Sequence, residues 1–223
     1  MGRGQTQNGP FSGRVGAMKT TPPRNIMVFV KRLGRPVFTT HEMITLSGKS
    51  RSTVTQCLSR LATQGLLFRI ARGVWVTSDQ KKFSPFEIIP YLFPRQRVYV
   101  SFVTALHLHG IVEQIPQVIT LASLSHTKTL RTQSGVFSVH QIAPSFFDGF
   151  DWHKGEGSFL IAEPEKALID CLYLSSRKKK QFGYFPELHF PTTFSFKKAR
   201  RWIARIPQKE IRSYISRKLE ELQ

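Results

Sequence analysis

Between Lys49 and Arg72 the chain gathers side chains suited to one kind of chemistry, contact with the edges and phosphates of a nucleic acid. Lys49, Ser50, Arg51, Ser52, Thr55, Gln56, Ser59 and Arg60 fall within one short stretch, and Arg69 and Arg72 follow shortly after. A glutamine amide can pair bidentately with adenine and an arginine fork with guanine. Serine and threonine hydroxyls, with the free amides of a helix start, suit phosphate oxygens. No Asp or Glu occurs between Thr45 and Ser78, whereas an ordinary solvated helix face mixes charges of both signs.

Other constellations invite different chemistry. Glu163, Glu165, Lys166 and Asp170 could hold a metal and activate water as a nuclease does. Their spacing points instead to helix support. With Pro164 as first helical residue, Glu163 and Glu165 sit at the positive end of the helix dipole. Glu163–Lys166 and Lys166–Asp170 then become i,i+3 and i,i+4 pairs. His107 and His109 resemble a metal pair, but residues two apart on a helix point about 200° away from each other. Ser101 with His107 lacks the orienting acid and strained elbow of a hydrolase. Phosphate-cradling glycine loops are absent. No metal or cofactor is expected.

The elements that must position the first cluster are legible in the pattern. Ile26, Phe29, Val30 and Leu33 recur at helical spacing and stop at Gly34. Thr39-Thr40 can cap a second helix over His41–Leu46, and Ser47-Gly48-Lys49-Ser50 supplies a tight turn and a cap. A third helix is then expected from Arg51 to about Gln64. Val54, Cys57, Leu58 and Leu61 share its buried face, while Ser52, Gln56, Ser59 and Thr63 centre the opposite one. Thr55 and Arg60 flank that polar face. Leu66 to Val76 reads as two apolar strands joined through Arg72-Gly73, a wing whose arginine can enter a minor groove. Residues 25–78 are therefore expected to form a winged helix-turn-helix.

Beyond a boundary near Asp79–Lys82, strand-like and helical patterns alternate. Ser84-Pro85 opens a helical turn, Ser101–His109 is a short helix ended by Gly110, and Val118–Ala122 is a β-branched strand. Lys128–Arg131 and Val136–Ile142 form a hairpin about Gln133-Ser134-Gly135. Glu163-Pro164 opens a helix to about Leu174. Ser195 caps a helix bearing Ala199, Trp202 and Ile203, and Pro207 opens a last one bearing Ile211, Tyr214, Ile215 and Leu222. The fold expected is α+β: a winged helix-turn-helix, then a mixed α/β domain over 79–223 that ends in two helices.

Bulk composition agrees with a polyanion partner. The 223 residues hold 33 Lys+Arg against 14 Asp+Glu, a formal +19. Such an imbalance repels itself unless an anionic partner neutralises it. Residues 25–78 carry 8 basic and 1 acidic residue, and 79–223 carry 21 and 13, so charge density peaks in the smaller unit. Hydrophobic residues make up 40% and aromatics 12%, enough for a core without disulfides or metals. Cys57 and Cys171 stand in apolar settings without CxxC spacing and read as reduced cytoplasmic thiols. Residues 1–24, rich in Gly, Thr, Gln and Pro, read as a disordered basic arm without the apolar stretch of a signal peptide. Met18 could equally begin the functional chain. No segment approaches about 18 consecutive apolar residues, so no membrane span is expected.

In order along the chain, several motifs together resemble one family. They are Arg51-Ser52-Thr53-Val54, Arg72-Gly73-Val74-Trp75, Tyr99-Val100-Ser101-Phe102, Ala105-Leu106-His107-Leu108-His109-Gly110, Gln114-Ile115-Pro116, and Glu163-Pro164-Glu165-Lys166-Ala167-Leu168-Ile169-Asp170-Cys171-Leu172-Tyr173. With the closing basic helices they make residues 25–222 similar to the AbiEi-type antitoxins of abortive-infection, type IV toxin–antitoxin systems. The resemblance implies a non-enzymatic bifunctional protein. Its winged helix would repress its own operon at inverted repeats in duplex DNA, with monomers binding cooperatively as one arrangement. Its C-terminal domain would oppose a nucleotidyltransferase toxin. The Arg177-Lys178-Lys179-Lys180 run departs from that pattern. A solitary regulator of the same architecture, an RNA-binding module and a metal-dependent nuclease are the alternatives.

Overall fold

A computed structural model describes residues 25–78, 84–155, 157–177, 182 and 185–223. The expected basic arm, the boundary at 79–82 and Lys178–Lys180 lie outside the described residues. The chain is a mixed α+β structure with two sheets. No helix among the described residues is long and apolar enough to cross a membrane.

The first part of the chain runs α1 (Ile26–Leu33), β1 (Val37–Thr39), α2 (Thr40–Ser47), α3 (Arg51–Thr63), β2 (Leu67–Ala71) and β3 (Val74–Thr77). Each helix begins where a side chain can satisfy its free amides. Asn25 accepts from the Met27 amide, and Ser50 from the Thr53 amide. Thr39 forms a reciprocal capping box with Glu42. Gly48 ends α2 at φ +64°, a left-handed conformation that a side chain would strain. The three strands form an antiparallel sheet in the order β1-β3-β2. The apolar run Leu66–Val76 accounts for two of them. The third, β1, is only three residues long and carries no periodic signal of its own.

Continuous apolar character in β3 has a physical reason. Phe38, Leu67 and Trp75 pack with α1, α2 and α3 in one small core, while Val37, Ile70, Val74 and Val76 join the large core of the rest of the chain. The sheet thus packs on both faces along its central strand, where Val74, Trp75 and Val76 are buried and Thr77 is half-buried.

A 3₁₀ turn at Pro85–Ile88 leads into α4 (Ile89–Leu92), β4 (Val98–Val100), α5 (Phe102–Leu108), β5 (Val118–Ser123), β6 (Lys128–Thr132) and β7 (Gly135–Gln141). Then follow β8 (Phe150–Trp152), β9 (Leu160–Ala162), α6 (Pro164–Ser176), α7 (Phe196–Ala204) and α8 (Lys209–Glu220). Six strands form a second sheet in the order β6-β7-β5-β4-β9-β8, with β5–β7 and β4–β9 parallel and the other pairs antiparallel. Helix α6 has nearly every residue buried, including Glu165, Lys166 and Asp170. The last helix begins at Lys209 with Gln208 as its cap, so Pro207 precedes the helix and does not open it.

Between β4 and α5 the chain turns sharply. Phe102 takes φ +58° although it carries a bulky side chain. Its ring is fully buried against His140 and Phe182 at 5.3 and 5.0 Å between centroids. The Thr120 hydroxyl donates to the Ser101 carbonyl at 2.8 Å, which fixes the turn from the other side. Packing and this bond together hold a backbone conformation costing about 1–3 kcal/mol.

Candidate nucleic-acid interface

Helix α3 is anchored by its apolar stripe and leaves its polar face open. Val54 and Leu58 are fully buried in the small core, and Cys57, Leu61 and Ala62 pack partly against it. Arg51, Ser52, Thr53, Thr55, Gln56, Ser59, Arg60, Thr63 and Gln64 are exposed. The stripe follows from residues at i, i+4 and i+7 falling on one side of a 3.6-residue turn. The Ser50 hydroxyl caps the helix at 3.2 Å from the Thr53 amide and lies 2.9 Å from Ser52 Oγ and 2.8 Å from Thr53 Oγ1. A chain of hydroxyls therefore surrounds the first turn, whose amides carry the positive end of the helix dipole.

Other expected contact residues lie around this strip. Lys49 is half-buried in the turn before α3, where its amide donates to Ser47 Oγ at 3.3 Å. Arg60 borders a groove with Asn25, Ile26, Cys57, Leu61 and Gln64 between α1 and α3, at the edge of the open face. Arg72 is exposed at the β2–β3 turn beside Gly73, whose φ of +78° favours glycine. Arg69 is exposed on β2, with its guanidinium 5.9 Å from the Trp75 ring centroid. None of Lys49, Arg51, Arg60, Arg69 or Arg72 enters an ion pair among the described residues. Their charge is available to a partner.

The Glu163–Asp170 cluster is arranged otherwise than its spacing suggests. Lys166 does pair with Asp170, but both are fully buried. The Asp170 carboxylate also accepts from Tyr99 Oη at 3.0 Å and Ser101 Oγ at 2.7 Å, and Lys166 Nζ donates to Tyr99 Oη at 3.0 Å. The ammonium lies 3.9 Å from the Phe146 ring centroid, 5.5 Å from Tyr99 and 5.7 Å from Trp202, a box of three aromatic rings. Burial lowers the Lys166 pKa against the pull of Asp170, and burial raises that of the Tyr99 phenol well above its usual value.

The expected Glu163–Lys166 pair does not form. Glu163 and Glu165 instead meet Lys198 of α7, at 2.9 and 3.4 Å, and Glu165 Oε1 accepts the Ser195 amide at 3.0 Å. Lys166 is fully buried beside Asp170, and the two carboxylates take their cation from another helix. His107 and His109 each contact a different carbonyl: Nδ1 of His107 that of Val112 at 2.9 Å, and Nε2 of His109 that of Ala162 at 2.7 Å. Among the described residues no group of His, Cys, Asp and Glu is placed to hold a metal ion.

On α7 and α8, much of the basic charge is committed within the molecule. Lys198 binds the two glutamates, Arg205 pairs with Asp148 at 2.7 Å, and Lys218 pairs with Glu221 at 2.6 Å. Arg200 donates to Gln223, and Arg212 to the carbonyls of Ile206 and Pro207. The Arg205 bond and the Gly149 amide hold the Asp148 carboxyl below its usual range. The carboxylates that hold Lys198 and Arg205 lie far along the chain and so leave no local signal in the basic pattern of these helices. No family model and no curated protein matches the chain.

Proposed function

We propose that the protein is a sequence-specific, duplex-DNA-binding transcriptional repressor, with residues 25–78 acting as a winged helix-turn-helix. Helix α3 would lie in the major groove, with Gln56 and Arg60 on base edges and the Ser50–Ser52 turn, Thr55 and Ser59 on phosphates. Arg72 would enter the neighbouring minor groove from the β2–β3 turn. The carrying observation is the open, acid-free polar face of α3, backed by the buried Val54 and Leu58. By the resemblance to AbiEi-type antitoxins, the remainder of the chain would engage a nucleotidyltransferase toxin and perform no catalysis itself.

The test is selection of a preferred duplex from a random pool, followed by titration at fixed salt. Gln56→Ala and Arg60→Ala should each lose about 1–3 kcal/mol on the preferred duplex and flatten the sequence preference. Arg72→Ala should weaken all duplexes more uniformly. Unchanged preference in the Gln56/Arg60 double variant would remove α3 from the reading role. Hairpin RNA winning the competition at matched salt would favour an RNA module, and plasmid cleavage in Mg²⁺ or Mn²⁺ a nuclease.

A further inference from the structure

Arg35 stands in the loop between α1 and β1 and joins a group of the 25–78 segment to one on α4. Its guanidinium donates through Nη1 to the Tyr91 hydroxyl on α4 and through Nη2 to Oε1 of Glu42 on α2. It also lies over the Tyr91 ring, 5.3 Å from the centroid. Glu42 is the only acidic residue of the 25–78 segment. Its other oxygen accepts from the Thr39 amide at 2.7 Å and from the Thr39 hydroxyl at 3.0 Å. The same carboxylate that Arg35 grips thus closes the capping box of α2.

The start of α2 is also tied to the wing. The Thr40 amide donates to the Gly73 carbonyl at 2.9 Å, and Trp75 Nε1 donates to Thr40 Oγ1 at 2.9 Å. At its far end α2 is joined to α3 by three residues, through a turn in which Ser47 Oγ bonds the Met43 carbonyl and accepts the Lys49 amide. The Gln133 amide, at the tip of the β6–β7 hairpin, donates to the Ile70 carbonyl of β2 at 3.3 Å. Beside Arg35 a cavity of about 260 Å³ opens between the two parts, lined in part by Tyr91, Glu87 and the exposed Trp152.

We propose that Arg35, Glu42 and Tyr91 are positioning residues for base reading: the C-terminal part sets the angle of α2, and through it α3, by way of the Arg35 guanidinium. This inference rests on the DNA-reading role given to α3. The physical basis is that one short turn connects α2 to α3, so a tilt of α2 is passed on to the helix that must meet base edges within hydrogen-bond tolerance. Phosphate contacts are less directional and tolerate such a tilt.

The test uses the full chain with Tyr91→Phe, Arg35→Met and Glu42→Gln. The first removes one hydroxyl, and the last can keep the capping box while removing the charge facing Arg35. Two quantities are read: the ratio of affinities for the preferred and a random duplex, and amide hydrogen exchange along the chain. Arg35→Met is expected to lower the ratio by about fivefold to tenfold, in the range of typical coupling between sites. Random-duplex binding should stay within about twofold, because Arg35 is not among the residues placed on the duplex. Tyr91→Phe and Glu42→Gln should move the ratio in the same direction by less, and exchange should quicken in α2 and the Ser47–Ser50 turn ahead of the rest.

An unchanged ratio in folded Arg35→Met, or exchange that quickens evenly along the chain, would overturn the proposal. Loss of folding in Arg35→Met leaves Tyr91→Phe to decide by the same two criteria. If the unaltered protein shows no duplex preference, or the Gln56/Arg60 variant keeps it, the DNA-reading role itself has failed. The exchange profile then still accepts or rejects the link from Tyr91 to α2.

Discussion

Lys166 and Asp170 show how much a single position depends on what surrounds it. On an exposed helix an i,i+4 pair contributes about 0.3–0.5 kcal/mol. Here both partners are fully buried, and Tyr99, Ser101, Phe146 and Trp202 complete their surroundings. Removing one partner leaves the other charged and without its counter-ion, which typically costs about 3–5 kcal/mol. Lys166→Met and Asp170→Leu should each fall in that range in urea unfolding. The double variant should cost clearly less than their sum, since it removes both charges and leaves two hydroxyls to find partners. Strict additivity would mean that the two groups do not act as a pair.

Among the elements, α3 is the one on which the proposed function turns, and its start is held by one hydroxyl. Ser50→Ala removes the acceptor for the Thr53 amide and should cost about 1 kcal/mol of stability. Duplex affinity should fall with it, because the first turn that would meet phosphate then frays. A variant that melts earlier yet binds all duplexes as before would separate the cap from the interface. The boundaries of α1, α2 and α3 were legible because caps and apolar spacing act within one or two turns of chain. Strands β1, β4, β8 and β9 were not, since three residues have no period to read and pair only with distant segments. At α7, likewise, the cations were visible but the distant carboxylates that bind Lys198 and Arg205 were not.

At the scale of the whole molecule, the three-stranded sheet belongs to two cores at once. Val37, Ile70, Val74 and Val76 face the large core, and Phe38, Leu67 and Trp75 face the small one. Truncating a buried valine removes contacts on which both parts rely, at an expected cost of about 1–3 kcal/mol. Val74→Ala should therefore lower a single unfolding transition, with fluorescence and circular dichroism coincident. Two separate transitions, only the earlier one shifted, would show that the parts unfold independently. The amino-acid sequence alone determined the helices of the first part, the polar face of α3, the β2–β3 turn and the cationic excess, because propensity, capping and amphipathic spacing are local properties. Tertiary structure decided the double burial of the small sheet, the enclosure of Lys166 with Asp170, the capture of Glu163 and Glu165 by Lys198 and the bridge from Arg35 to Tyr91. Each of these depends on which distant surfaces exclude water together, and that is settled only when the elements pack.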